Sequence, residues 1–178
     1  MMRLMLADRF KLVVHFEAQI QPVLALTVRE PGRLGQHLRA NAEGTPCDGP
    51  FPREMQGPDA GFESLLPPAC GLYIVLPKPD HMKIISARQI ELPLLAAFIS
   101  ASAKLDLPIV DQTGLGGTYD FALEWRDVPD LSTNSTDVAE STSTLKESIE
   151  EQLGLKVTRA KAPMKVLVID HVERPSEN

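Results

Sequence analysis

Residues Leu107–Trp125, which read LPIVDQTGLGGTYDFALEW, place three glycines within four positions and then alternate between two kinds of side chain. One set in the alternation is apolar and consists of Tyr119, Phe121, Leu123 and Trp125. A period of two is typical of a β-strand with one buried face. Because no helix starts after the glycines, the segment lacks the dipole with which a phosphate-binding loop holds its ligand. The stretch therefore predicts two strands joined by a turn, as a β-hairpin.

The predicted structural turn consists of Asp111, Gly114, Gly116 and Gly117. Glycine adopts the positive φ of tight turns without strain, and an aspartate side chain can accept a hydrogen bond from the backbone two residues further on. The segment VDQTG is similar to the Asp-Thr-Gly motif of aspartic proteases, but Gln112 interrupts that motif, and a second carboxylate would be needed. We therefore expect a turn that binds neither phosphate nor substrate.

Two helices are predicted, one on each side of this stretch. Residues 91–105 have apolar positions at helical spacing and a proline in the first turn, where no backbone donor is needed. The second helix starts at Thr144 and ends before Gly154, a residue type that commonly terminates helices. The expected apolar stripes are Leu94, Leu95, Phe98, Ile99 and Leu105 in the first helix and Leu145, Ile149 and Leu153 in the second.

The remaining apolar segments are short and are bounded by turn-forming residues, which indicates strands. They are expected at residues 11–18, 22–28, 71–77, 81–90, 155–160 and 164–172. The first two are separated at Gln21-Pro22 and predict a second antiparallel hairpin. Residues 166–169 are apolar on both faces, as in a central strand.

The order of elements from residue 72 contains a helix followed by two strands, twice. This predicts an α+β fold: a mixed, mostly antiparallel sheet with two main helices packed on one face and repeated helix-strand-strand units. Three regions follow one another: residues 1–34 as a helix end plus β-hairpin, 35–71 as a Pro/Gly-rich loop, and 72–178 as the α+β domain. Residues 127–143 are acidic and rich in hydroxyl groups, which favours a flexible insert in that domain.

Composition argues against several classes of function. The 178-residue chain has a formal net charge of -6 and a pI near 5.2, which argues against nucleic acid or an anionic membrane as the partner. No apolar run is long enough for membrane insertion, and charges interrupt the N-terminal segment where a signal peptide would be apolar. The histidines, His15, His37, His81 and His171, form no dense ligand set. The residues themselves therefore predict no catalytic, cofactor-binding or metal site.

Cys47 and Cys70 lie in one Pro/Gly-rich stretch of the chain. Two interpretations are open: two unrelated small residues, or one disulfide that closes the loop and stabilises the fold by about 3 kcal/mol. A disulfide would indicate an oxidising compartment. Two thiols this far apart, without a CxxC motif, are not a zinc pattern.

Residues 4–28, 107–125, 145–157 and 166–178 together resemble a soil-associated protein family expanded in Acidobacteria and known as a domain of unknown function. The resemblance covers nearly the whole chain. Members of that family usually have an export signal and a further N-terminal region. The resemblance therefore implies that this is the C-terminal portion of an extracytoplasmic protein, periplasmic or secreted. It supplies no catalytic residues.

Some relatives in that family are attached to membrane-bound sensor peptidases of the antibiotic-resistance regulator type, which implies signalling or binding. The order of elements is also similar to the small N-terminal domain of secretins and TonB-dependent transducers, a similarity of fold alone. These resemblances favour a non-enzymatic, exported protein-interaction module of the bacterial cell envelope with a protein partner. The alternative is an extracytoplasmic hydrolase or hydrolase-associated domain. A deep pocket with two or more carboxylates or histidines would favour that alternative.

Overall fold

The computed structural model describes residues 2–41, 61–103, 105–126 and 144–175. The chain divides into two compact units. The ribbon unit comprises Met1–Pro22 and Lys161–Asn178, and the core unit comprises Val23–Ala160. The units thus differ from the consecutive regions 1–34, 35–71 and 72–178 that the sequence suggested, because the two ends of the chain belong together.

Two long strands contribute residues to both units. They are β1 (Val13–Val28) and β7 (Leu155–His171). In the core unit, Thr27 Oγ1 donates to the Lys156 carbonyl at 3.4 Å, and in the ribbon unit His15 contacts Asp170. Residue numbers therefore increase along β1 in the direction in which they decrease along β7, so the two strands are antiparallel.

The predicted hairpin within residues 11–28 is wrong, because those residues form the single strand β1. Residues 155–160 and 164–172 likewise lie in one strand, β7, and its continuity removes the predicted repeat of helix-strand-strand units. In both cases a proline, Pro22 or Pro163, lies at the predicted division, and the strand continues through it. The φ of proline fits extended backbone, and the residue is tolerated in strands where its missing N–H is not needed.

The core unit contains a four-stranded antiparallel sheet in the order β2-β6-β4-β3. Its strands are β2 (Leu38–Ala40), β3 (Tyr73–Lys78), β4 (Met82–Ile90) and β6 (Tyr119–Arg126). β3 and β4 correspond to the strands expected at residues 71–77 and 81–90, and they pair antiparallel, with Val75 opposite Ile85. A bulge between Ala87 and Ile90 in β4 turns the Gln89 N–H toward the Asp120 carboxylate at 2.8 Å.

A second sheet has the order β5-β1-β7. The short strand β5 (Ile109–Asp111) pairs parallel to β1, with Leu24 opposite Ile109. β5 and β6 therefore belong to different sheets, and the hairpin predicted for Leu107–Trp125 is wrong. The α+β class with antiparallel pairing is confirmed, but the strands form two sheets instead of one.

The helices agree with the sequence in place but differ in detail. α1 spans Met2–Phe10 and α2 spans Leu92–Ser102, with proline in the first turn of α2. A 3-10 turn covers Phe62–Leu65, and the helix at residues 144–148 continues as a π-helical turn, Ile149–Leu153, that ends at a left-handed Gly154. Among the described residues, no helix combines the length and the apolar character that crossing a membrane requires.

The core lies between these elements within residues 23–160. α2 contacts β4 and β5, and the π-helical turn contacts β6. Phe121, Leu123 and Trp125 are buried on one face of β6, as the alternation predicted, whereas Leu94 of α2 is 42% exposed and was wrongly assigned to the stripe. The fully buried side chains with the largest volume include Phe121, Leu26, Leu38, Ile84, Ile85, Ile90, Leu92, Leu95, Ile99, Leu123, Ile149 and Leu153.

Two predictions concern residues outside the ranges that the structure describes. Cys47 lies there, so its pairing with Cys70 stays a prediction. Residues 127–143, the predicted flexible insert, lie there entirely.

Candidate functional site

The ribbon unit has two dissimilar faces, and contacts between its strands show which residues share a face. Lys165 of β7 stands over the Phe16 ring of β1, 4.5 Å from its centroid, so these two residues are on the same face. Since side chains alternate along a strand, Ile20, Leu167 and Ile169 belong to that face as well.

This apolar face consists of Phe16, Ile20, Leu167 and Ile169, which are 47%, 66%, 51% and 57% exposed. Four large neighbouring apolar side chains in water cost free energy that burial would recover, at about 25 cal/mol per Å² of apolar surface. A contiguous exposed apolar patch commonly marks an interaction site. The apolar face is therefore the leading candidate surface in the ribbon unit.

The opposite face is polar along β1, from His15 to Gln21, whereas Val166 and Val168 of β7 share it with Asp170. Along β1, the Gln21 amide donates to Gln19 at 3.0 Å, and Gln19 donates in turn to Glu17. His15 Nδ1 lies 2.8 Å from the Asp170 carboxylate and thereby ties β1 to β7. The hydrogen bond and the negative charge of Asp170 raise the pKa of His15. This side of the ribbon is hydrogen-bonded internally, whereas the apolar face is not covered within the described residues.

The core unit has its own candidate, an open cleft of about 480 Å³ between residues 29–37 and 150–154. Backbone bonds hold these two segments together. The N–H groups of Gly35 and His37 donate to the carbonyls of Leu153 and Gln152, both at 2.9 Å. The last carbonyls of a helix lack partners within the helix, so the neighbouring segment satisfies them here.

Two glycines make this close approach of backbones possible. A Cβ atom on Gly154 would lie 2.5 Å from the Gly35 nitrogen, and Gly154 has φ +68°. A Cβ atom on Gly35 would overlap the Gln152 carbonyl. The floor of the cleft is therefore backbone against backbone, and larger residues would separate the two segments.

The side chain of Gln152 fixes the π-helical turn to β6. Gln152 Nε2 donates to the Glu124 carbonyl at 2.7 Å, and Gln152 Oε1 accepts from the Glu124 N–H at 2.8 Å. The side-chain amide of Gln152 thereby bonds both the backbone N–H and the backbone carbonyl of Glu124 in β6. It holds the cleft wall against the four-stranded sheet.

Charges of both signs line the cleft. Arg33 forms an exposed ion pair with Glu30 at 3.3 Å, which contributes little in water. Arg29 from one wall and Glu150 and Glu151 from the other have no ion-pair partner among the described residues. These charges allow the cleft to bind a polar group. Three carboxylates, two guanidinium groups and a histidine line this one open hollow.

That histidine, His37, also borders a neighbouring hollow of about 540 Å³. Its ring stacks against Phe62 with 5.7 Å between centroids. Its Nδ1 atom is buried and has no hydrogen-bond partner within the part of the chain that is described. Buried polar atoms usually have partners, so this nitrogen is the most distinctive atom of the cleft.

The turn from Asp111 to Tyr119 has a well-defined internal structure. Asp111 Oδ1 accepts from the Thr113 N–H at 2.9 Å, which confirms the predicted role of this side chain in the turn. The Gln112 N–H donates to the Leu26 carbonyl, and the Leu115 N–H donates to Thr113 Oγ1. Three backbone donors that could hold a phosphate are thus already engaged.

The glycines of the turn are not equivalent. Gly114 and Gly117 have φ of +70° and +87°, and no neighbouring atom would contact a Cβ at either position or at Gly116. Gly116 does not have positive φ. Glycine is thus required by backbone conformation at two of the three predicted positions, and the absence of a ligand role stays a prediction.

Within residues 2–41, 61–103, 105–126 and 144–175, no group of three or more His, Cys, Asp or Glu residues could hold a metal ion. Sequence reasoning missed Gly35, His37 and Gln152 as cleft residues. Only Gly35 carried a signal, as a glycine three residues after the pair Pro31-Gly32, which is typical of a turn.

Comparison with known protein families assigns the chain to one family. The family described as "Protein of unknown function (DUF3738)" matches residues 1–172. The chain belongs to the DUF3738 family. No curated protein and no solved structure matches it significantly. The DUF3738 match includes the strands of the ribbon unit and the whole core unit, so both candidate surfaces lie inside the family region.

Proposed function

We propose that this DUF3738 protein is a non-enzymatic, exported protein-interaction module of the bacterial cell envelope that takes part in signalling. The observation that carries the proposal is the apolar face of the ribbon unit. Phe16, Ile20, Leu167 and Ile169 are each about half exposed or more. A partner protein that covers these four side chains removes their apolar surface from water, and this burial stabilises the complex. No covalent change of the chain is needed.

The partner that fits this face is a folded envelope protein with an apolar strip of its own. The strip would pack across β1 and β7 in the way that one sheet covers another, at about 10 Å between backbones. Lys165 beside Phe16 adds a cation at the border of the face. A carboxylate beside the strip would complement it and would set the orientation of the complex.

Export is part of the proposal and carries its own test. In an oxidising compartment Cys47 and Cys70 would form a disulfide that closes the loop between them. Thiol titration of denatured, non-reduced protein from the envelope fraction should then find no free thiol. Two titratable thiols in such material would argue against both the pairing and the location.

Site-specific photo-crosslinking in the native host tests the interaction itself. A photoreactive residue at Ile20 lies on the apolar face, and the same residue at Glu17 lies on the polar face as a matched control. We expect a defined adduct with one envelope protein from position 20, little from position 17, and loss of the adduct in Phe16→Glu. Equal labelling from both positions, or an adduct that Phe16→Glu does not change, would refute the proposed surface.

The second candidate, an extracytoplasmic hydrolase, is favoured by one observation. The cleft brings Glu150, Glu151 and His37 together, and Nδ1 of His37 lacks a partner among the described residues. Chromogenic ester, peptide and glycoside substrates would test it. A turnover that Glu150→Gln and His37→Gln each abolish, with the fold intact by circular dichroism, would replace the interaction proposal with this one.

A further inference from the structure

The segment Met164–Asp170 of β7, which reads MKVLVID, is at an open edge of its sheet. In the order β5-β1-β7, only β1 adjoins β7 among the described strands. An edge strand leaves every second N–H and C=O group without a partner strand. The sequence of residues 166–169, apolar on both faces, is typical of a strand with neighbours on both sides.

Edge strands usually carry features that prevent further pairing, and this segment has few of them. Pro163 limits pairing at one end, since it has no N–H. From Val166 to Ile169 there is no charge, proline or glycine, and Leu167 and Ile169 are exposed. A strand of this composition at an open edge is a template for strand addition.

We infer that a second copy of this chain pairs with Met164–Asp170 in antiparallel register about Leu167. The central three residues are symmetric about Leu167, since Val166 would lie opposite Val168 and Leu167 opposite its own copy. A strand that pairs antiparallel with itself generates a closed two-fold dimer. Self-pairing thus removes the edge in one step and leaves no further edge of β7 to extend.

Charge favours the antiparallel direction. The paired segment contains one cation, Lys165, before its centre and one anion, Asp170, after it. Antiparallel pairing about Leu167 places Lys165 opposite Ile169 and Asp170 opposite Met164, so no like charges meet. A parallel arrangement in register would instead place Lys165 and Asp170 each opposite its own copy, and like charges directly opposite are destabilising.

This inference deepens the proposed function, because it rests on the ribbon unit being an interaction surface and names one partner for its edge. The edge and the apolar face are different surfaces of the ribbon. The dimer also doubles the apolar face, since Leu167 and Ile169 of the two copies would lie side by side. Protein from the envelope can therefore lack the dimer and still give the adduct at Ile20, which would refute self-pairing alone.

The test uses the full chain and measures its mass in solution by sedimentation equilibrium. We expect a species of twice the 19.5 kDa of one chain. Leu167→Lys should weaken dimerisation by about tenfold or more, because two like charges would meet at the axis. Ile20→Lys, at an exposed apolar position on β1, should leave the dimer intact.

The decisive experiment mixes two variants. Leu167→Lys and Leu167→Glu should each be monomeric, and a mixture of them should recover the dimer, because each lysine then faces a glutamate. Monomeric wild-type protein, a dimer that survives Leu167→Lys, or variants that stay monomeric when mixed would each overturn the inference. Circular dichroism of each variant separates loss of pairing from loss of fold.

Discussion

The ribbon unit and the core unit bury very different amounts of apolar side chain. Among the described residues, Ala162 is the one buried apolar residue in the ribbon unit, whereas every other buried apolar side chain is in Val23–Ala160. Most large exposed apolar side chains show the reverse distribution, and Leu4, Met5, Phe16, Ile20, Leu167 and Ile169 are all in the ribbon unit.

The difference shows how one chain can separate stability from recognition. Burial drives folding, so the core unit supplies most of the folding free energy. A two-stranded ribbon is only marginally stable by itself in water. The ribbon unit keeps apolar surface exposed that a partner can cover, and it depends on continuous strands shared with the core unit.

The largest expected effect compares two phenylalanines. Phe121 is fully buried and Phe16 is 47% exposed. Phe121→Ala should destabilise the protein by about 3–5 kcal/mol through lost burial and a cavity, whereas Phe16→Ala should cost less than about 1 kcal/mol. Urea unfolding followed by far-ultraviolet circular dichroism measures both. Similar losses for the two variants would break the comparison.

A smaller effect is expected at the backbone contact beneath the cleft. Gly154→Ala should cost about 2 kcal/mol or more, because it adds left-handed strain and a Cβ against Gly35. Gly114→Ala is the matched control, since φ is also positive there but no atom lies nearby. The same urea experiment should show the smaller loss for Gly114→Ala. Equal losses would mean that strain alone, and not the close approach, requires glycine at position 154.

The turn offers a finer comparison within the core unit. Gly117→Ala should cost about 1 kcal/mol from positive φ, and Gly116→Ala should change stability by less than about 0.5 kcal/mol. Thermal unfolding of the two variants measures the difference. In addition, inorganic phosphate should not raise the melting temperature of either variant or of the wild type. A phosphate shift that Gly117→Ala removed would make the turn a binding loop.

The smallest effect concerns the polar face of the ribbon unit. Asp170 raises the pKa of His15, so Asp170→Asn should lower it toward its ordinary value. Because the folded-state pKa is the higher one, the interaction stabilises fully below the unfolded value of about 6.5, and this contribution is lost as pH rises through the folded-state pKa. Proton NMR titration of His15 measures the change. Asp8→Asn is the control, and an unchanged His15 pKa in Asp170→Asn would contradict the assignment.

Local patterns predicted much of the core unit. Alternation identified the buried face of β6, the proline identified the start of α2, and Gly154 identified the end of the second helix. Asp111 was recognised from the geometry of its own side chain. Each of these features depends on neighbours within a few positions along the chain.

The missed features depend on distant partners. β5 is drawn to β1 by parallel pairing, which nothing in Leu107–Trp125 specifies. Gln152 stabilises the cleft wall by bonding both backbone groups of Glu124. No local sequence pattern distinguishes it from a glutamine on the surface of a helix. The strands continue through Pro22 and Pro163, because the effect of a proline on a strand depends on which edge is paired. Because the continuity of β1 and β7 was not predicted, the ribbon unit and its apolar face were not predicted either.

The position of Trp125 decides which part of the protein intrinsic fluorescence can report on. It is the single tryptophan of the chain, and both tyrosines, Tyr73 and Tyr119, also lie between residues 23 and 160. Intrinsic fluorescence therefore reports on the core unit, and opening of the ribbon unit would leave the emission spectrum almost unchanged. A chain with an open ribbon would pass a fluorescence test of folding. A fluorescence screen of ribbon variants therefore needs an extrinsic dye on that unit.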